Sequence, residues 1–211
     1  MSDMLDMFRK YKCDKGDRLN NSHHYHLEYE PEMEKRRNDP IKILEIGIWH
    51  GTSFNTWHEY FPNAEIYGID IFTRLQPSDV PILSEERVKY IKGDSTKASI
   101  TKKIADEWGE DIRFDFIIDD GLHTPDANRL TFNHIVPYLA DDGIFYIEDA
   151  WPLHIMTLKE MEHKWIKERS DNYNALKMNM FLNALDGYNV EEIDLRKPSG
   201  CPDSFIFKVT K

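Results

Sequence analysis

Two short apolar runs, each ending in a pair of acids, constrain the fold of this chain more than any other feature of its sequence. The first begins at Phe114, closes on Asp119 and Asp120, and continues as Gly121-Leu122-His123. The second, Gly143 to Ile147, closes on Glu148 and Asp149. Both are rich in β-branched and aromatic residues and bounded by turn residues, so they read as buried strands. Between them a helix has a clear start, with Thr124 as N-cap, Pro125 at the first helical position and Asp126 in the first turn. Strand, helix, strand over this length predicts a βαβ unit whose strands are parallel neighbours. The four acids then meet at one rim of the sheet, where open α/β sheets hold their ligands.

Like charges brought together repel, and several of them stay ionised only beside a cation. Oxygen donors with no cysteine nearby favour magnesium or a similar divalent ion. The competing expectation is that the acids cap helices or solvate strand ends. A cation site requires Asp120 close to Glu148 and Asp149, with no lysine or arginine salt bridge in the gap.

A length of 211 residues suits one α/β domain with a terminal extension. The division expected is an N-terminal helical extension or lid over residues 1–40 and a ligand-binding domain over 41–211. The net charge of −11 argues against nucleic acid as a partner and leaves a small polar substrate open. Cys13 and Cys201 form no ligand spacing or disulfide framework, which fits a reducing cytoplasm. The opening MSDMLDMFRKYK is too polar for a secretion signal, and no apolar run is long enough to span a membrane. A homo-oligomer is compatible with the sequence.

Residues 2–12 are expected to form a short amphipathic helix through Met4, Leu5, Met7 and Phe8. Turn signals follow at Lys15-Gly16 and Asn20-Asn21. His23, His24 and His26 read as flanking or opening a helix, because their spacing places only two of them on one face; a small-molecule contact is expected from His24 or Tyr25. Ile41–Ile46 is a strand leading into Glu45-Ile46-Gly47-Ile48-Trp49-His50-Gly51 and a helix from Thr52 or Ser53. A second strand, Ala64–Asp70, ends in an acid nineteen positions after Gly51. Strand, glycine turn, helix, strand, acid is the order of a nucleoside-binding half-fold, in which the acid accepts from ribose hydroxyls. A pyrophosphate would call for GxGxxG. Glycines four apart behind an acid instead suit S-adenosylmethionine, which carries no phosphate.

Residues 71–86 read as a rim loop, Val88–Ile91 as a third strand, and Thr96–Trp108 as a helix preceded by Asp94-Ser95. Asp94 can accept from an adenine amino group or cap that helix. Residues 153–184 are expected to be largely helical, broken near Ser170-Asp171-Asn172. Tyr188–Leu195 and Ser204–Val209 close the chain as antiparallel strands joined by a Pro198-Ser199-Gly200 turn.

With ILEIGIWHG and YGID, this arrangement resembles a class I S-adenosylmethionine-dependent methyltransferase. IIDDGLH followed by YIED, and DKG…HHY…YE upstream, are similar to the metal-dependent O-methyltransferases of macrolide sugars. The resemblance implies a Rossmann-like, doubly wound α/β fold. Its sheet would have seven strands, mostly parallel with an antiparallel C-terminal strand, and helices on both faces. It also implies Asp120, Glu148 and Asp149 as ligands of Mg²⁺ or another divalent cation, with His123 as general base and Asp120 beside it in catalysis. Glu45, Gly47, Trp49, Gly51, Asp70, Asp94, Ser95 and Asp119 would line the cofactor site, Asp119 toward the sulfonium or its amino group. The acceptor implied is a hydroxylated small molecule, a sugar or a glycosylated compound. The alternatives are a catechol or small-diol O-methyltransferase, a nicotinamide-dependent oxidoreductase, and a non-catalytic nucleoside-binding module.

Overall fold

The computed structural model describes residues 3–18 and 21–211. Seven strands form one sheet: β1 (Lys42–Ile46), β2 (Glu65–Asp70), β3 (Val88–Lys92), β4 (Phe114–Asp119), β5 (Leu139–Ile147), β6 (Asn189–Asp194) and β7 (Phe205–Thr210). Their spatial order is β3-β2-β1-β4-β5-β7-β6, with β7 antiparallel to both of its neighbours and the other pairings parallel. This is the doubly wound, mostly parallel sheet expected. The order reverses between β1 and β4, so the crevice outside their C-terminal ends is the switch point where such sheets bind ligands.

The helices are α1 (Asp3–Tyr11), α2 (His26–Met33), α3 (Thr52–Tyr60), α4 (Ser99–Trp108), α5 (Pro125–Ile135), α6 (Lys164–Glu168), α7 (Ala175–Ala184) and the short α8 (Arg196–Ser199). Strand periodicity divides the core into two layers. Leu44, Ile46, Ile117, Phe145 and Ile147 share one cluster with Ile104 of α4, Phe132 of α5 and Phe181 of α7. Ile43, Phe116, Ile118 and Tyr146 share the other with Met4 and Phe8 of α1, Tyr29 and Met33 of α2 and Trp57 of α3. Burying each such side chain contributes roughly 1.5–3 kcal/mol, so the N-terminal helices belong to the domain core.

The expected helix at the N-terminus is present as α1; residue 2 and Asn20 of the anticipated Asn20-Asn21 turn lie outside the described residues. Three boundaries differ from expectation. Helix α4 begins at Ser99, three residues late, because Asp94 Oδ1 accepts from both the backbone N–H (2.9 Å) and the hydroxyl (2.6 Å) of Thr96 in a tight turn. Strand β5 starts at Leu139, its register on β4 shifting between Phe114 and Phe116. Residues 152–163 are turns with one short 3-10 segment at Glu160–Glu162, not a helix. Their apolar side chains anchor singly: Leu153 is buried and Leu158 almost fully exposed. No helix among the described residues is long and apolar enough to cross a membrane.

Candidate active site

Alternation along adjacent strands decides which acids meet. Ile46 pairs with Asp119 and Asp119 with Ile147. The next residues continue the register through Asp120 N–H to Ile46 O (3.0 Å) and Glu148 N–H to Asp119 O (3.0 Å). Asp119 therefore falls on the face of α5, where its Oδ2 accepts from Asn128 Nδ2 at 3.1 Å. Glu45, Asp120 and Glu148 gather instead around the ammonium of Lys15, on the opposite face. The close pass of β1 against β4 demands Gly47: at φ 92°, a Cβ there would lie 2.1 Å from the Asp120 carbonyl oxygen.

The acids do converge at the rim. Donor atoms of Asp120, His123 and Asp149 lie within 4.8 Å of one another. His123 Nε2 is 3.6 Å from Asp120 Oδ1 and 3.9 Å from Asp149 Oδ2. The Nδ1 of His123 is buried without a hydrogen-bond partner. Glu148 stands beside this trio, but its oxygens are engaged by Lys15 Nζ and the Tyr29 hydroxyl. The requirement of a gap free of lysine thus fails on the Asp120–Glu148 side, where Lys15 Nζ also reaches Asp120 Oδ2 at 2.6 Å and Glu45 Oε1 at 3.4 Å. It holds on the Asp120–Asp149 side, which faces His123.

One ammonium does not satisfy this cluster. Burial pushes Glu148 well up from its ordinary value against the pull of Lys15, and Asp149 up against His123 and His23, with neighbouring carboxylates adding to both. Burial likewise lifts Glu45 to about 7 and Asp119 to about 6. Burial pulls the His123 imidazole down, yet Asp149, Asp120 and Asp119 outweigh it and hold it above its usual range. Burial also opposes the Lys15 charge, which Asp120, Glu148 and Glu45 restore. Burial raises these carboxyls, and a further positive charge beside them would favour their ionised forms. Hard oxygen donors of Asp120 and Asp149, with an imidazole beside them, fit a divalent cation.

The N-terminal segment, expected as an extension or lid with a ligand contact from His24 or Tyr25, forms the second wall. Tyr25 donates its hydroxyl to Asp149 Oδ1 and accepts from the Asp149 backbone N–H at 3.0 Å. His23 Nδ1 lies 3.1 Å from Asp149 Oδ1 and 2.9 Å from Ser204 Oγ. The DKG…HHY…YE pattern contains Lys15, His23, Tyr25 and Tyr29.

The remaining expected cofactor residues lie on or beyond β1, β2 and β3, each already in contact with other protein groups. Asp70 accepts from the backbone N–H groups of Ile48 (2.8 Å) and Trp49 (3.2 Å) through Oδ2 and of Phe72 (2.6 Å) through Oδ1. Its spare lone pairs remain open to a ligand hydroxyl. Trp49 is 58% exposed, stacks on His50 and faces Arg74. Gly51, at φ 72°, lies against Val80 and Ile82 of the rim loop. Ser95 is buried, its hydroxyl 2.8 Å from Thr131 Oγ1. Glu45 is buried and accepts from Trp57 Nε1 at 2.7 Å, so it faces the N-terminal layer. Trp49, Phe72, His123 and Asp149 all have positive φ, one just beyond each of β1, β2, β4 and β5. Backbone strain of this kind gathers at ligand-binding sites.

Comparison with known proteins places this geometry in context. A family profile described as a methyltransferase domain matches residues 44–150. Mycinamicin VI 2''-O-methyltransferase of Micromonospora griseorubida is 32% identical over 136 residues, 61% of this chain and 32% of that protein. Demethylmacrocin O-methyltransferase of Streptomyces fradiae is 29% identical over 156 residues, covering 71% of this chain and 36% of that protein. The chain spans about a third of the length of the curated relatives it matches. Among solved structures, the MycE methyltransferase of the mycinamycin pathway, in complex with Mg and SAH, superposes with a TM-score of 0.69. It is 23% identical, and the match covers 99% of this chain and 54% of that one.

Proposed function

The chain belongs to this methyltransferase-domain family, and from that premise we propose that it transfers a methyl group from S-adenosylmethionine to a hydroxyl of a sugar or glycosylated small molecule, with a divalent cation at the acid cluster. The convergence of Asp120, His123 and Asp149 within 4.8 Å at the switch-point rim carries the reading. The sugar O-methyltransferase relatives and the Mg- and SAH-containing neighbour support it.

In this reading Asp120 and Asp149 would hold the ion through their open oxygens, and Glu148, bonded to Lys15 and Tyr29, would join them only by giving up one of those partners. The cation supplies Lewis acidity that lowers the pKa of an acceptor hydroxyl. His123 removes that hydroxyl proton through Nε2, an imidazole nitrogen already directed at the Asp120–Asp149 gap. The carboxylates raise the His123 pKa, and a dication held between them would offset that pull and favour the neutral imidazole that a base requires. Around the donor, the Gly47–Gly51 turn and Asp70 set the rim against which the nucleoside packs. Asp119 and Asp94 lie on its α5 and β3 sides.

The direct assay follows methyl transfer from labelled S-adenosylmethionine to a panel of hydroxylated sugars and glycosides, with and without EDTA. Transfer that is lost on chelation and restored by Mg²⁺ fits the proposal. Transfer indifferent to chelation removes the metal from it.

A further inference from the structure

We propose that Lys15 is a positioning residue of the acid site: its ammonium is a resident cation that orients Asp120 and Glu148 and holds down the affinity of the divalent ion beside them. The inference rests on the metal reading above, but its observations are independent of any relative. Lys15 is 2% exposed, unusual for a lysine, and is the cation among the described residues that bridges Asp120 Oδ2 at 2.6 Å to Glu148, with Glu45 Oε1 at 3.4 Å. It reaches these acids from 105 and 133 positions away in sequence.

The backbone at its root is fixed. His26 N–H donates to Lys15 O at 3.3 Å, His24 N–H to Gly16 O at 3.0 Å and His23 N–H to Asp14 O at 2.7 Å. Gly16 packs its Cα against Phe8 of α1, where a Cβ would come within 3.0 Å of the Phe8 Cβ. Burying an unpaired ammonium is strongly unfavourable, so a lysine is held here only by its pairing with Asp120, Glu148 and Glu45.

Two consequences follow from its charge. Without Lys15, the buried Glu45 and Glu148 and the part-exposed Asp120 face one another with no ammonium between them, and the metal-free protein loses stability. A dication in the neighbouring gap is also released from like-charge repulsion, which Coulomb's law in a partly screened site makes worth on the order of tenfold or more in affinity. Lys15 thus keeps the ion exchangeable and makes the N-terminal segment a fixed part of the site.

The test compares wild type, Lys15→Met and Lys15→Met/Glu148→Gln by thermal melting and by Mn²⁺ calorimetry. The expected result is a lower metal-free melting temperature for Lys15→Met, recovered in part by Glu148→Gln, and Mn²⁺ binding to Lys15→Met about tenfold tighter than to wild type. Recovery of folding by Glu148→Gln supports the proposal even if Lys15→Met alone does not fold. Equal or weaker Mn²⁺ binding to Lys15→Met overturns it, as does a double variant no more stable than the single one. Wild type that binds no Mn²⁺ at all refutes the metal reading, while the melting comparison still decides whether Lys15 is the counter-ion.

Discussion

Tyr25 and Asp149 hold each other twice: the Asp149 backbone N–H donates to the Tyr25 hydroxyl at 3.0 Å, and that hydroxyl donates to Asp149 Oδ1. Asp149 has φ 50°, a conformation that a non-glycine residue keeps only when its surroundings enforce it. Tyr25→Phe should therefore leave the Asp149 N–H without its partner, and Asp149 Oδ1 held by His23 alone. The expected cost is about 1–3 kcal/mol in stability, with Mn²⁺ affinity reduced as Asp149 loosens. Urea unfolding and calorimetry on the variant check both; unchanged Mn²⁺ binding would show that Asp149 needs no such clamp.

His123 lies beside Asp120 and Asp149 and outside the β1–β2 rim. His123→Ala should bind S-adenosylhomocysteine as wild type does while turnover falls roughly 10²–10⁴-fold. Calorimetry with the product and a single-turnover assay separate the two. Normal turnover removes His123 from the base role.

Asp70 gathers three backbone N–H groups from the two turns that follow β1 and β2. Asp70→Ala should release both turns and weaken S-adenosylhomocysteine binding by tenfold or more, with each lost charge-assisted bond worth roughly 1.5–3 kcal/mol. Mn²⁺ binding at the β4–β5 ends should survive, because none of those ligands touches Asp70. Parallel titrations of one protein batch with the two ligands make the comparison.

Acid should destabilise the protein partly through two histidines. Burial, with a smaller contribution from His24, lowers the His26 pKa, and burial with Arg87 lowers that of His58. The unfolded chain then binds more protons than the folded one as pH falls below the ordinary imidazole value of 6.5, so stability drops in that direction. The buried carboxyls, whose values are raised, work oppositely over the same range. The clean reading is therefore the difference between wild type and His26→Gln/His58→Gln, which should widen in favour of the variant as melting is followed from pH 7 to pH 5.

How much of this was legible in the sequence varies with the range of the interactions involved. The strands ending in Asp119-Asp120 and Glu148-Asp149 announced themselves by local composition. So did Thr124, whose side chain accepts from Ala127 N–H at 3.3 Å as an N-cap should. The glycine turn at 47–51 and Asp70 were readable because their spacing is local to one βαβ unit. Lys15 was not, since nothing near it in sequence says that its ammonium will be buried among acids more than a hundred positions away. The stretch after Trp151 misled for a related reason. Its apolar residues resemble helix anchors, but Trp151 packs on His163 and Tyr173 through turns that tertiary contacts impose.

The central claim, a divalent ion between the ends of β4 and β5, is tested most directly by anomalous diffraction from crystals grown with Mn²⁺ and S-adenosylhomocysteine. A manganese peak about 2.1 Å from carboxylate oxygens of both Asp120 and Asp149 is the predicted result. Ordered S-adenosylhomocysteine in the neighbouring crevice with no such peak, the Lys15 ammonium alone joining Asp120 to Glu148, would contradict it.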